Sequence, residues 1–353
     1  MLIIRSIFIT LFLTLLMLLQ PVLAFAEEKP AVSAEACVLL CADGTALFEK
    51  NADDRCLIAS TTKLMTALVC LENADLSDMV TAQKRHCEVE GSSMYLREGE
   101  LYTVKELLLG LLLASGNDAA LALAEHTAGS EYAFVELMNQ KAAALGLENT
   151  HFENPHGLDA KAHYSSARDL AQLMLYCMEN PTFCELTATR AVDVKGLTLL
   201  NHNKLLSYCP GCVGGKTGYT RAAGRCLVSS CERDGLRLVC VTLSDPDDWN
   251  DHMRLYEWAY AHYAVHDLHE ELMFEIPIIS GSREAVQAVP APGTCVVLPR
   301  DRSVEYRAEI PHFVFAPVNA GDRAGMLSLL QGGKVLYSFP LIYSESAVQA
   351  VRY

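Results

Sequence analysis

The sequence predicts an α+β fold: one antiparallel sheet built from both ends of a large first part, helices packed against it, and then a small all-β module. Three observations carry this reading. Two hairpin signatures flank a block of helical periodicity, a further helix follows the second hairpin, and composition changes abruptly near residue 275. Residues 27–275 carry a net charge of −17, whereas 276–345 are net neutral and hold seven of the 13 prolines. The expected organisation is a first domain at 27–272, a small β-sandwich at 273–347 and a short tail at 348–353.

Residues 1–26 stand apart. Arg5 precedes a 13-residue apolar run, Ile7–Leu19, and small-residue cleavage patterns follow at Val22-Leu23-Ala24 and Ala24-Phe25-Ala26. This reads as an export signal, because the run is short of the roughly 20 residues a helix needs to span a bilayer.

The elements then follow in order. Ala36–Ala42 and Thr45–Lys50 flank Asp43-Gly44, a dipeptide that supplies the positive φ of a tight hairpin. Leu64, Met65, Leu68, Val69 and Leu71 recur at helical spacing after Ser60. Thr103–Ala114 is apolar nearly all round, as a buried helix is. Tyr132–Leu145 stops at Gly146, and Ser166 precedes a helix through Leu170, Leu173 and Met174. Arg225–Cys231 and Leu236–Leu243, joined at Asp234-Gly235, form a second hairpin, followed by a helix from about Pro246 to Tyr263. Short apolar runs such as Thr294–Leu298 and Val335–Phe339 supply strands of the β module.

Composition restricts function. With 51% hydrophobic and 20% charged residues the chain folds, and its net charge of −15 gives no footprint for nucleic acid. All 13 cysteines follow residue 26, an odd number that leaves at least one unpaired, and several lie in apolar stretches where a thiol packs as a small core residue. The close pair Cys209-Pro210-Gly211-Cys212 has the spacing of a redox or disulfide motif. Zinc is disfavoured because no second ligand pair has matching spacing.

Three short motifs carry chemistry. In Ser60-Thr61-Thr62-Lys63 the ammonium of Lys63 can lie beside the Ser60 hydroxyl, since positions i and i+3 share a helix face. Free N–H groups at the helix start favour negative charge on a bound carbonyl oxygen. Ser115-Gly116-Asn117 breaks two apolar helices, and Lys216-Thr217-Gly218 opens a strand and offers a charge and a hydroxyl to a carboxylate. Taken singly these read as an N-cap, a turn and a strand start. Gly215-Lys216-Thr217 is no phosphate loop, because Pro210 stands where that pattern needs glycine. In combination and in this order, the three match the set found in penicillin-binding proteins and serine β-lactamases.

The chain resembles the low-molecular-mass penicillin-binding proteins that are serine-type D-alanyl-D-alanine carboxypeptidases. Asn154-Pro155-His156-Gly157-Leu158-Asp159, Ser166-Ala167-Arg168-Asp169-Leu170 and Asn203-Lys204-Leu205-Leu206 extend the likeness over residues 30–345. The resemblance implies a serine β-lactamase/transpeptidase-like domain, with helices on both sides of the sheet and an all-helical lobe. It implies a Ser60 acyl-enzyme with Lys63 as base and Ser115 as proton relay. Asn117, Lys216, Thr217 and Gly218 would bind substrate, and the N–H groups of Ser60 and Tyr219 would hold the oxyanion. It implies no cofactor and no metal. The substrates would be peptidoglycan stem peptides ending in D-Ala-D-Ala, met outside the cytoplasm, and β-lactams would inhibit.

Two features depart from the family pattern. The segment Asp247-Asp248-Trp249-Asn250-Asp251-His252 lacks the arginine that often helps bind the substrate carboxylate; Arg254 and His252 are the candidate substitutes, and the role is carried over to neither. Ser346–Tyr353 has too little basic and apolar character for an amphipathic membrane anchor. A β-lactamase is the nearest rival, but the deacylating Glu-x-x-Leu-Asn segment of one large class is absent. A non-catalytic wall-binding protein is disfavoured by the intact motifs.

Overall fold

Every residue of β1 (Ala36–Cys41) is apolar and buried, which a strand tolerates only when both faces of its sheet are covered. The computed structural model describes residues 29–301 and 303–350, and the export segment expected at 1–26 lies outside the described residues. The central sheet joins β1 to β2 (Ala46–Lys50), β3 (Cys212–Thr220), β4 (Gly224–Arg233) and β5 (Leu236–Leu243). Their spatial order is β2-β1-β5-β4-β3, with every neighbour antiparallel. Both chain ends of the larger part therefore meet in one sheet, and β3 is an edge strand.

Alternation along the strands divides two cores. Ala36, Val38 and Leu40 join Val239, Val241 and Leu243 on one face. There they meet α1 (Lys63–Asn73), α2 (Val104–Leu112), α3 (Asn117–Ala128), α4 (Glu131–Ala144) and α5 (Ala167–Cys177). Cys37, Leu39 and Cys41 join Leu238 and Cys240 on the other face, under Leu255, Tyr256 and Ala259 of α6 (Asp248–His262). A continuous apolar run here means two covered faces, with period-2 sorting hidden inside it.

The helix limits follow local chemistry. Thr103 caps α2 reciprocally with Glu106: Thr103 Oγ1 accepts from Glu106 N at 3.1 Å, and Glu106 Oε2 accepts from Thr103 N at 2.7 Å. The helix ends at Leu112 instead of continuing to Ala114, because the chain must reach Ser115 at φ +60°. The sequence reading passed over two further antiparallel pairs, Met79–Thr81 with Leu101–Thr103 and Ala191–Val194 with Leu197–Leu200.

Tyr263–Asp267 pairs with Cys295–Pro299, and a six-stranded sheet follows from residues 274–343. A third core, from Leu268 to Ala347, is separate from the first two. No helix among the described residues is long and apolar enough to cross a membrane.

Candidate active site

Ser60 does not cap α1. It sits in a single 3-10 turn, Ala59–Thr62, immediately before that helix. Ala59 adopts φ +46°, a left-handed conformation that costs a residue bearing a Cβ on the order of 1 kcal/mol or more, so its neighbours must hold it there. Thr62 Oγ1 donates to Ala59 O at 2.8 Å and lies 2.7 Å from His163 Nε2. His163 Nδ1 accepts from Glu153 N at 3.0 Å, so its Nε2 carries the proton and donates to Thr62. Burial pushes this imidazole down to about 4, keeping it neutral.

Two glycines close on the same turn. A Cβ at Gly157 (φ +90°) would stand 2.0 Å from Ala59 O, and one at Gly218 would stand 3.0 Å from both Ile58 O and Ser60 N. The loop 154–158 and the edge strand thus press on the turn from backbone distance.

Lys63 opens α1 and is completely buried. Its Nζ has three oxygen neighbours: Ser60 Oγ at 3.0 Å, Asn117 Oδ1 at 2.7 Å and His156 O at 2.6 Å. Burial first, and then the Lys216 charge, hold this amine well below the usual lysine range, while Asp118 opposes them. A neutral amine has two N–H donors and one lone pair. The two carbonyl oxygens can only accept, so they take the two hydrogens and the lone pair is left for the Ser60 hydroxyl.

Ser115 and Asn117 come from the break between α2 and α3. Asn117 Nδ2 donates to Glu90 O at 2.6 Å, which fixes Oδ1 toward Lys63. Asn117 is only 3% exposed and its present partners are Lys63 and the 90–96 loop, not the open cleft. The neighbouring Asp118, which the sequence did not single out, organises that loop. Its carboxylate accepts from Ser93 Oγ at 2.6 Å, Met94 N at 3.0 Å and Leu96 N at 3.1 Å.

Lys216, on the edge strand, is also buried. Its Nζ donates to Ser115 Oγ at 3.0 Å and Thr217 O at 2.7 Å, and burial pushes it down to about 7. The three motifs therefore converge: Ser60 with Lys63, Lys63 with Asn117, and Ser115 with Lys216. Ser60, Ser115, Thr217, Gly218 and Tyr219 line one cavity of about 460 Å³, with Lys63, Asn117 and Lys216 behind its wall.

Arg225 and Asp248 line the same cavity. Arg225 pairs with Tyr219 across β3 and β4, its Nη2 donates to Asp248 Oδ1 at 2.6 Å, and its guanidinium lies 5.6 Å from the Trp249 ring centre. The Arg225 Nε is buried without a hydrogen-bond partner. The two substitutes considered from sequence are occupied elsewhere. Arg254 is paired with Asp247 and Asp251, while His252 lies under the sheet between Ser229 Oγ (2.7 Å) and Thr242 Oγ1 (3.1 Å). A cation from the second hairpin thus enters the cleft, tethered to an acid in the segment where the arginine was missing. Residue spacing gives no sign of that pairing.

The chain matches known proteins along nearly its whole length. The family model described as D-alanyl-D-alanine carboxypeptidase matches residues 23–247. The D-alanyl-D-alanine carboxypeptidase DacF of Bacillus subtilis is 32% identical over 97% of this chain and 94% of its own length. DacC of Escherichia coli is 33% identical over 92% of this chain and 87% of its own. Among solved structures, penicillin-binding protein 5 of Haemophilus influenzae superposes with a TM-score of 0.75 at 28% identity, covering 91% of this chain and 99% of that one. With the three motifs joined around one serine on this fold, the chain belongs to the D-alanyl-D-alanine carboxypeptidase family of serine peptidases.

Proposed function

We propose that the protein removes the terminal D-alanine from peptidoglycan stem peptides ending in D-Ala-D-Ala, through an acyl-enzyme on Ser60. The observation that carries this reading is the buried Lys63 amine, whose two carbonyl partners leave its lone pair for Ser60 Oγ at 3.0 Å. Ser60 Oγ attacks the carbonyl carbon between the two D-alanines and Lys63 takes its proton. The oxyanion is held by the N–H groups of Ser60 and Tyr219, each such donor contributing about 3 kcal/mol in the transition state. The C–N bond then breaks as the proton held by Lys63 passes through Ser115 to the leaving amine, which leaves Lys63 neutral again. Water attacks the ester and gives a proton to Lys63, which returns it to Ser60 Oγ as the ester C–O bond breaks. Asn117 sets the direction of the Lys63 hydrogens, and it contacts the substrate amide only by exchanging a present partner.

Lys216, Thr217 and Arg225 bind the terminal carboxylate, with Gly218 admitting the substrate backbone. Arg225 supplies the guanidinium, since it lines the cavity beside Tyr219 and suits a carboxylate at that end of the cleft. Arg225→Ala is expected to raise KM about 10- to 100-fold, the effect of a lost charge-assisted hydrogen bond, with a smaller change in kcat. Steady-state D-alanine release from a pentapeptide measures this, and an unchanged KM would remove Arg225 from the site.

Residues 1–26 act as an export signal, 27–272 form the catalytic domain and 273–347 a second, β-rich domain. The enzyme works outside the cytoplasm on the cell wall, and penicillin acylates Ser60. The decisive assay incubates purified protein with a D-Ala-D-Ala pentapeptide and, separately, with penicillin. Free D-alanine and a stable penicilloyl adduct on the peptide containing Ser60 are the expected results. Rapid penicillin turnover without D-alanine release would make the protein a β-lactamase.

A further inference from the structure

Six of the cysteines, Cys37, Cys41, Cys209, Cys212, Cys231 and Cys240, gather in or against the core under α6. None is bonded to another, and no cluster among the described residues has the arrangement of a metal site. The sequence singled out Cys209 with Cys212. Their turn is closed by Cys212 N donating to Cys209 O at 3.1 Å, with Gly211 at φ +81°, but the two sulfurs take different partners. Cys212 Sγ faces Gly214 O at 3.7 Å and Asn203 Nδ2 at 4.0 Å.

Cys209 turns to Cys231 on β4. Both thiols reach one carbonyl oxygen, Pro210 O, at 3.8 Å and 3.3 Å. Arg233 crosses the pair with Nη2 3.9 Å from Cys209 Sγ and Nε 2.8 Å from Pro210 O. We propose that Cys209 and Cys231 are a disulfide site, closed when the chain folds in the presence of a small-molecule or protein disulfide.

The chemistry is thiol–disulfide exchange. Cys231 loses its proton to solvent and attacks first, and the exchange balances equally with the two sulfurs reversed. Its thiolate attacks one sulfur of R–S–S–R, that bond breaks, and R–S⁻ leaves with the electron pair. Cys209 then loses its proton to solvent and attacks the Cys231 sulfur, displacing the second R–S⁻. Two protein thiols give up two electrons and two protons, and one R–S–S–R becomes two R–SH. Both sulfurs are buried in the finished fold, so the exchange belongs to the stage when β3 and β4 come together. The bond ties the turn before the Lys216 strand to the strand beside it, a constraint independent of the catalytic residues.

The test is to refold the full chain in glutathione and glutathione disulfide, alkylate free thiols and map linked peptides by mass spectrometry. A Cys209–Cys231 pair is expected, about 2 Da lighter than the separate thiols. Reduction should lower the melting temperature by about 5–10 °C, a difference absent in Cys231→Ser. Any other partner for Cys209, Cys212 included, or full alkylation of both cysteines, overturns the proposal. The wild-type map decides alone if the variant does not fold.

Discussion

Ser60→Ala is expected to lower the rate of D-alanine release by about 10⁶-fold, the loss seen when a serine hydrolase is deprived of its nucleophile. The side chain makes almost no structural contact: Oγ has Lys63 at 3.0 Å and a long approach to His156 O at 3.5 Å. The fold should therefore survive, with an unchanged melting curve beside the lost activity. Intact-mass analysis after exposure to penicillin gives the second readout. A Ser60→Ala protein that acquires the penicilloyl mass as fast as wild type would place the nucleophile elsewhere.

Lys63→Met comes next, with an expected fall of about 10³- to 10⁴-fold in kcat/KM, the upper range for a general base. Methionine fills much of the volume but has no lone pair to take the Ser60 proton. The pH profile adds a sign that a packing defect would not produce. The productive free enzyme needs Lys63 neutral and Lys216 charged. Burial lowers both amines, so activity should rise with pH as Lys63 loses its proton and fall as Lys216 loses its own, near 7 and not near 10.5. Lys216→Arg keeps its charge throughout and should remove the falling limb. A limb that stays in place in that variant belongs to another group.

The fold and the three motifs that converge on Ser60 were legible in the sequence because each has a local signature. The Asp43-Gly44 and Asp234-Gly235 turns, the apolar strands, and the spacing of Ser60 to Lys63 all depend on near neighbours. What escaped depends on distant ones. The His156 carbonyl that orients Lys63 is a backbone group, which every residue carries alike, so no residue type advertises it. Arg225 gains its meaning from Asp248 and Tyr219, and Cys209 from Cys231, through tertiary contacts that spacing along the chain does not encode. Ser60 was expected to open the helix that carries Lys63 and lies instead in the 3-10 turn before it, where Gly218 and Gly157 approach the backbone from distant segments.

The turn bearing Ser60 is gripped by two surfaces without side chains, at Gly157 and Gly218, and both come from segments far from it in sequence. Its left-handed Ala59 is held by that grip, by burial in the core and by the Thr62 hydroxyl. The position of the Ser60 hydroxyl therefore depends on backbone contacts at two glycines that contribute no reacting group. Substitution is narrow at both places: a Cβ at Gly157 collides with the Ala59 carbonyl, and one at Gly218 requires the turn itself to give by a few tenths of an ångström.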